Sequence, residues 1–229
     1  MSDGYDLAKA VDTRHTAYAR HVAALAAKLK QAEPEDSSDG IVILLAESKV
    51  DGSALGTMRI HANHAAPLPI EQSIQLPDQF RSLRLVEATR LGVASGKQGL
   101  MVKMALFKAF YLYCKTSDVD AMVIAGRSPL DRMYQRLMFE DVYPGLGFIE
   151  LAHANNLPHR IQSLNLHTVE ARWAQANHPM FDFFIRTHHP DVELGETRAV
   201  QRNAHRAIKN PHQNRNTERH GQQTADHVH

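Results

Sequence analysis

Residues 82–94, Ser-Leu-Arg-Leu-Val-Glu-Ala-Thr-Arg-Leu-Gly-Val-Ala, alternate with a period of two and read as a β-strand. On that alternation Leu83, Leu85, Glu87, Thr89, Leu91 and Val93 share one face, and Arg84, Val86, Ala88 and Arg90 share the other. A carboxylate in an apolar strand face is costly to bury unless it is paired or protonated. Burial also raises its proton affinity toward the range of a base that works near neutrality. Glu87 is therefore the first candidate for chemistry. Ser95-Gly96-Lys97-Gln98-Gly99 follows directly, and then a long apolar helix. A strand that feeds a glycine loop and a helix N-terminus presents free N–H groups to a ligand, which makes Gly96 and Gly99 candidates for contacting it.

The rest of the chain sets this unit in an α/β arrangement. Apolar residues recur at helical spacing from residue 5 to 32. Residues 41–47 are apolar on both faces, which predicts a central strand. Lys49 to Ser53 reads as a hairpin turn, and residues 54–60 form the partner strand. Residues 61–81 carry three prolines and no periodicity, the pattern of a long loop with a functional use. A helix over 100–114, a strand over 120–126 and a helix beginning at Ser128-Pro129-Leu130-Asp131 come next, the last with serine as its cap. A late strand over 161–168 and helices over 170–177 and 179–188 complete a single domain of residues 1–196. Residues 197–229 are polar, and the composition predicts a disordered tail whose removal leaves stability and activity intact.

Composition excludes several classes of function. A net charge of +1 gives no global electrostatic case for nucleic acid or a membrane surface. The single cysteine, Cys114, rules out an intrachain disulfide and sits in an apolar helical run as a small buried hydrophobe. The N-terminus is polar and acidic, without a signal peptide, and no apolar run approaches the ~20 residues of a spanning helix. The expected location is the cytoplasm. None of the 15 histidines shows a recognised metal-ligand spacing with supporting carboxylates, so they read as solvated and no metal is expected.

The order of elements, with a hairpin carrying Gly-Thr-x-Arg, resembles the acetyltransferase (GNAT) fold, a mixed central sheet flanked by helices. Leu85 to Val93 is similar to the Val-Glu-x-Ser-Arg-Phe-x-Val strand of acyl-homoserine-lactone synthases and of the related long-chain N-acyl amino acid synthases. Gly52 to Ile60 resembles the hairpin of that group, Arg14 to Tyr18 its Arg-x-x-x-Tyr, and Ser128 to Phe139 the helix that usually contains Phe-Tyr-x-Arg-Leu. The lone tryptophan, Trp173, and the run Ile60-His61-Ala62-Asn63 depart from the lactone synthases and favour the amino acid synthases. The spacing of Gly96 and Gly99 departs from the usual coenzyme A loop. It suits an acyl carrier protein, whose pantetheine arm lacks the adenosine diphosphate.

The resemblance implies transfer of a long-chain acyl group from a carrier-protein or coenzyme A thioester to the amine of an amino acid. No cofactor would be held permanently. In that reaction Glu87 would take the proton of the amine, directly or through water, and a backbone N–H near Leu91 would stabilise the oxyanion. Tyr134 would give a proton to the leaving thiolate. Arg59 and Arg90, with Thr89, would hold a substrate carboxylate. Val93, Gly96, Gly99, Met101 and Met104 would meet the donor. Each role has a plainer alternative: an arginine pairing with Glu87, Asp51 or Glu140, Tyr134 as core, and Met101, Met104, Phe107 and Phe110 as ordinary packing. Lys97, Lys103, Lys108 and Arg127 would face an acidic carrier protein or simply solvent. A short-chain N-acetyltransferase and a catalytically silent acyl-binding module remain as alternative functions.

Overall fold

In the computed structural model, which describes residues 3–194, the strand read from residues 82–94 becomes β3, Leu85–Val93. It is followed without a gap of more than two residues by α3, Gly96–Thr116. Because β3 and the next strand, β4 (Ala121–Gly126), run parallel, a crossover is required, and α3 supplies it. The other pairings are antiparallel. β1 (Ile41–Glu47) and β2 (Ala54–Ala62) form the hairpin, turning at Gly52 with φ of +69°. β7 (Leu157–Asn165) lies beyond β4 and carries the short β5 (Glu140–Asp141) and β6 (Ile149–Leu151). The order across the sheet is β1-β2-β3-β4-β7-β5, with β6 paired to β7 alone.

Several elements differ from the sequence expectation. The helix expected over 5–32 is two helices, α1 (Asp3–Ala19) and α2 (Ala23–Lys28). The apolar spacing continues through the break, so periodicity alone does not mark it. Strand β1 is not central. It stands at the end of the sheet order, and both its faces are apolar because α1 covers one and α3 the other. The helix after β4, α4, spans Leu130–Arg136 and has no side-chain cap at its start. Asp131, in its first turn, is buried and lies 3.4 Å from Arg160. After α5 (Val169–Gln175) the expected helix over 179–188 is a single π-helical turn, Asp182–Arg186. The tail expected from residue 197 onward lies outside the described residues. Among those residues no helix is long and apolar enough to cross a membrane.

Two cores sandwich the sheet. On one face the loop 63–84 is drawn in by Leu68, Ile70, Leu76 and Phe80, which pack with Leu85, Val123 and Leu151. Burying each such side chain contributes roughly 1.5–3 kcal/mol, so the loop is part of the core rather than a cover over it. On the other face Phe107 and Tyr111 of α3 meet Met122, Leu137, Leu164, Trp173 and Phe184 around a void of only about 10 Å³. Lys108 is buried there. Its ammonium donates to the carbonyls of Phe183, Phe184 and Thr187 and so closes the C-terminal turn.

The junction of β3 and α3 depends on one glycine. A Cβ on Gly99 would sit 1.8 Å from the Ala94 carbonyl oxygen. Backbone cannot yield as a side-chain tip can, so Gly99→Ala is expected to lift the first turn of α3 and cost about 1–3 kcal/mol. A shift of the urea midpoint at constant m-value would register this. An unchanged midpoint would mean that the junction relaxes freely.

Candidate active site

β3 carries a bulge. Thr57 pairs with Gly92 and Arg59 with Thr89, so Arg90 and Leu91 together stand opposite Met58. Arg90 takes φ of 54°, in the left-handed region, as a bulge residue can. One extra residue reverses the alternation that follows it. The result corrects the face assignment made from the sequence. Arg90 joins Glu87, Thr89, Arg59 and His61 on the α1 face. Gly92 then faces α1, where its missing Cβ leaves room for Arg14 and Ala17. Val93 turns to the α3 face with Gly56, and Leu91, two residues before it, goes with it.

Beyond the bulge the sheet opens. The β3–β4 ladder ends at Ala88 opposite Ile124, although β3 runs on to Val93 and β4 to Gly126. A cleft of about 60 Å³ fills the gap. Thr89 and Arg90 line it from β3, Ala125 and Arg127 from the end of β4 and just after it, and Tyr18, His153 and His159 are among the other residues in its wall.

Glu87 lies behind this wall and is 0% exposed. Its Oε2 accepts a hydrogen bond from the Ile70 N–H at 3.0 Å. Its Oε1 has no hydrogen-bond partner among the described residues and lies 3.6 Å from His153 Nε2. Burial pushes the Glu87 carboxyl up to about 8, so the group holds its proton through neutrality. His153 moves the other way. Burial, reinforced by the Arg90 charge, pushes it down to about 4, and it is neutral at pH 7.

The arginines occupy a buried ion cluster. Arg14 makes a two-pronged contact with Asp36, both bonds at 3.0 Å. Arg90 does the same with Glu33, both at 2.7 Å, and donates a third bond to the His153 carbonyl. Arg59 bonds Asp36 at 3.0 Å, approaches Glu33 at 3.1 Å, and donates through Nε to His61 Nε2. That nitrogen also meets the Thr89 hydroxyl at 2.9 Å. An acceptor role there fits a neutral imidazole, and burial together with Arg59 pushes His61 down to about 3.

Three guanidinium groups face two carboxylates, which leaves one formal positive charge beside the cleft. Burial alone would raise Glu33 and Asp36, yet the arginine bonds hold both below the ordinary carboxylate range. Their contribution to stability is present above the unfolded pKa near 4 and is lost as pH falls through the lower folded values.

The pairing partners of Arg59 and Arg90 are thus Glu33 and Asp36 rather than Glu87, Asp51 or Glu140. The loop 33–38 that supplies them reads in the sequence as an acidic turn with no visible tie to the arginines. His61 and His153 are also corrections, since His61 is buried and His153 half-buried rather than solvated.

Tyr134 is buried, with its ring across Gly126 at the end of β4 and packed between Phe107 and Phe139. Burial, and then the nearby Tyr18, drives its hydroxyl well above the usual phenol range, so it is a firm proton holder. At the N-terminus of α3 Gly96 takes φ of +74°. Met101 is 70% exposed and Met104 half-buried, and neither lines the cleft. Phe107 and Phe110 are core. Lys97 is exposed, whereas buried Lys108 presents nothing to a partner. Among the described residues no group of three or more histidine, cysteine or acidic side chains is placed to hold a metal.

The family model for the N-acyl amino acid synthase FeeM matches residues 9–146, more than half of the chain. The chain belongs to the FeeM family. This FeeM-family protein is therefore an acyltransferase. FeeM itself, an N-acyl amino acid synthase from uncultured soil microbes, superposes with a TM-score of 0.54 at 15% identity, over 71% of this chain and 92% of that one. BjaI, a CoA-dependent acyl-homoserine lactone synthase solved with SAM and isopentyl-CoA, gives 0.50 at 12% identity, over 76% and 83%. At these identities the two structures establish the shared GNAT-like fold. A search of curated proteins gave no match.

Proposed function

We propose that this FeeM-family protein transfers a long-chain acyl group from an acyl-carrier-protein thioester to the amine of an amino acid. The observation that carries the reading is the buried, unpaired Oε1 of Glu87 beside a cleft where β3 and β4 part. An amine attacks a thioester only after losing a proton, and Glu87 is the group whose proton affinity suits that loss. Attack forms the C–N bond and puts negative charge on the carbonyl oxygen. The β3 backbone beyond the last β4 pairing, at Leu91, is the proposed donor to that oxygen. Collapse breaks the C–S bond, and Tyr134, whose ring lies over Gly126 at the end of β4, is the proposed hydrogen-bond donor to the leaving thiolate, which takes its proton from solvent. The glycine turn of Gly96 and Gly99 and the exposed Met101 and Lys97 lie at the α3 end, the side proposed for the donor and its carrier.

The acceptor carboxylate is drawn by the excess positive charge of the Arg14–Arg59–Arg90 cluster, which reaches the cleft through Arg90 and Thr89. Arg127 stands on the opposite wall and has no ion-pair partner among the described residues. Losing a charge-assisted carboxylate contact costs about 1.5–3 kcal/mol. Arg127→Met is therefore expected to raise the KM for the amino acid by roughly tenfold or more, with the KM of the acyl donor unchanged. An unmoved acceptor KM removes Arg127 from the site. The reading as a whole is tested by mass spectrometry of lipids from cells that overproduce the protein, and by assay with acyl-carrier-protein, long-chain acyl-CoA and acetyl-CoA donors. N-acyl amino acids that form best with the carrier-protein donor support it. Turnover of acetyl-CoA alone makes the protein a short-chain N-acetyltransferase.

A further inference from the structure

Glu87 has no atom in the cleft wall, so it cannot itself touch an amine bound there. His153 is in the wall and also reaches Glu87. We propose that His153 is the relay through which Glu87 exchanges its proton with the cleft. The proposal deepens the reading of Glu87 as the base and rests on it.

One peptide group organises the pair. The Pro69 carbonyl accepts from His153 Nδ1 at 3.1 Å, and the N–H of that same peptide, on Ile70, donates to Glu87 Oε2 at 3.0 Å. With Nδ1 carrying the hydrogen, His153 Nε2 keeps its lone pair, and it is this nitrogen that lies 3.6 Å from the unpaired Oε1. Two hydrogen bonds, imidazole N–H to carbonyl and amide N–H to carboxyl, hold the unpaired Oε1 and the bare Nε2 facing each other across 3.6 Å. The Arg90 guanidinium fixes the other end of His153 by bonding its carbonyl at 3.0 Å.

The transfer is balanced. An ammonium N–H bond breaks and leaves its electron pair on the amine nitrogen, while the proton bonds to His153 Nε2. In molecules whose Glu87 is ionised, a fraction that grows as pH rises toward 8, that N–H then breaks toward Oε1, forming an O–H bond and returning the imidazole to neutrality. The charges of Arg90 on β3 and Arg59 on β2 oppose a resting imidazolium, as does His159 on β7, whereas Glu71, on the turn that carries Ile70, opposes ionisation of Glu87. The charged ring is thus a passing state.

Two arms test this. In the first, the ring nitrogens of the full-length protein are followed by NMR from about pH 5 to 9. Nδ1 is expected to stay protonated, with the Nε2 signal moving as Glu87 titrates and becoming independent of pH in Glu87→Gln. A signal that ignores Glu87 overturns the pairing, whatever reaction the protein catalyses. In the second, His153→Phe keeps the ring shape without the nitrogens. It is expected to lower kcat by about 10²-fold with little change in KM, and the alkaline rise in rate is expected to steepen as hydroxide replaces the relay. The double variant with Glu87→Gln is expected to fall no further than the poorer single one. Wild-type kcat and pH profile in a folded His153→Phe overturn the relay. His153→Gln, which keeps an acceptor, provides the same comparison if the phenylalanine does not fit. If the wild-type protein makes no amide at all, the functional reading fails, and the NMR arm still decides the pairing.

Discussion

Glu87→Gln is expected to lower turnover by about 10²–10⁴-fold, the usual contribution of a positioned base, while making the protein more resistant to alkali. The two effects share one cause. The folded carboxyl titrates near 8 against an ordinary 4.5 because it is buried. The native state therefore holds this proton more tightly than the unfolded chain does. The associated stability is complete below about pH 4.5 and is lost as pH rises through about 8. At about 1.4 kcal/mol for each unit of difference, several kcal/mol are involved. A glutamine is neutral at every pH and has nearly the size of the protonated acid it replaces. Urea melts near pH 5 and near pH 9 are expected to show the variant gaining on the wild type at the higher value. Wild-type turnover in the variant from pH 6 to 9 would mean that substrate deprotonation comes from elsewhere. An unchanged alkaline melt would mean that the carboxyl is ionised in the folded state.

Glu33→Ala is expected to be the most damaging single change to the fold. It removes both bonds of the Arg90 fork and the contacts to Arg14 and Arg59, so that Asp36 alone faces three buried arginines. Breaking a buried ion pair on one side typically costs about 3–5 kcal/mol, a large share of the 5–15 kcal/mol that holds a domain together. Adding Arg90→Met to Glu33→Ala is expected to recover part of that cost, because the orphaned charge goes with it. Denaturant midpoints of both proteins measure this. A Glu33→Ala protein within about 1 kcal/mol of wild type would show that water satisfies the arginines unaided.

The strand–turn–helix unit and its order in the chain were legible because they rest on local patterns. These were alternation through 82–93, the glycines after it, and a helix long enough to cross back to a parallel strand. The identity of Glu87 as a buried carboxyl was legible for the same reason. What escaped depends on tertiary partners. A bulge adds one residue to one strand only relative to its neighbour, so nothing in Thr89-Arg90-Leu91 announces it, and face assignments beyond it reversed. Glu33 and Asp36 sit in a stretch whose composition is that of any acidic surface turn. Their role appears only when α1, β2 and β3 bring Arg14, Arg59 and Arg90 to them. His153 carried a weaker but real signal in the apolar residues on either side, Leu151 and Ala154, both of which prove to be buried. The high proportion of histidine elsewhere in the chain concealed it.

The peptide joining Pro69 and Ile70 gives the long loop an unusual position. Four apolar anchors, Leu68, Ile70, Leu76 and Phe80, tie the segment into the hydrophobic core, and a single amide between the first two holds both ends of the proton-carrying pair. A loop of this length would ordinarily be free to exchange residues or breathe without consequence. Here any fluctuation that frees Ile70 also releases Glu87 and unlocks the histidine tautomer. On the roles proposed for Glu87 and His153, their acid–base chemistry requires this part of the core to be packed, and a partly loosened molecule is silent rather than indiscriminately reactive.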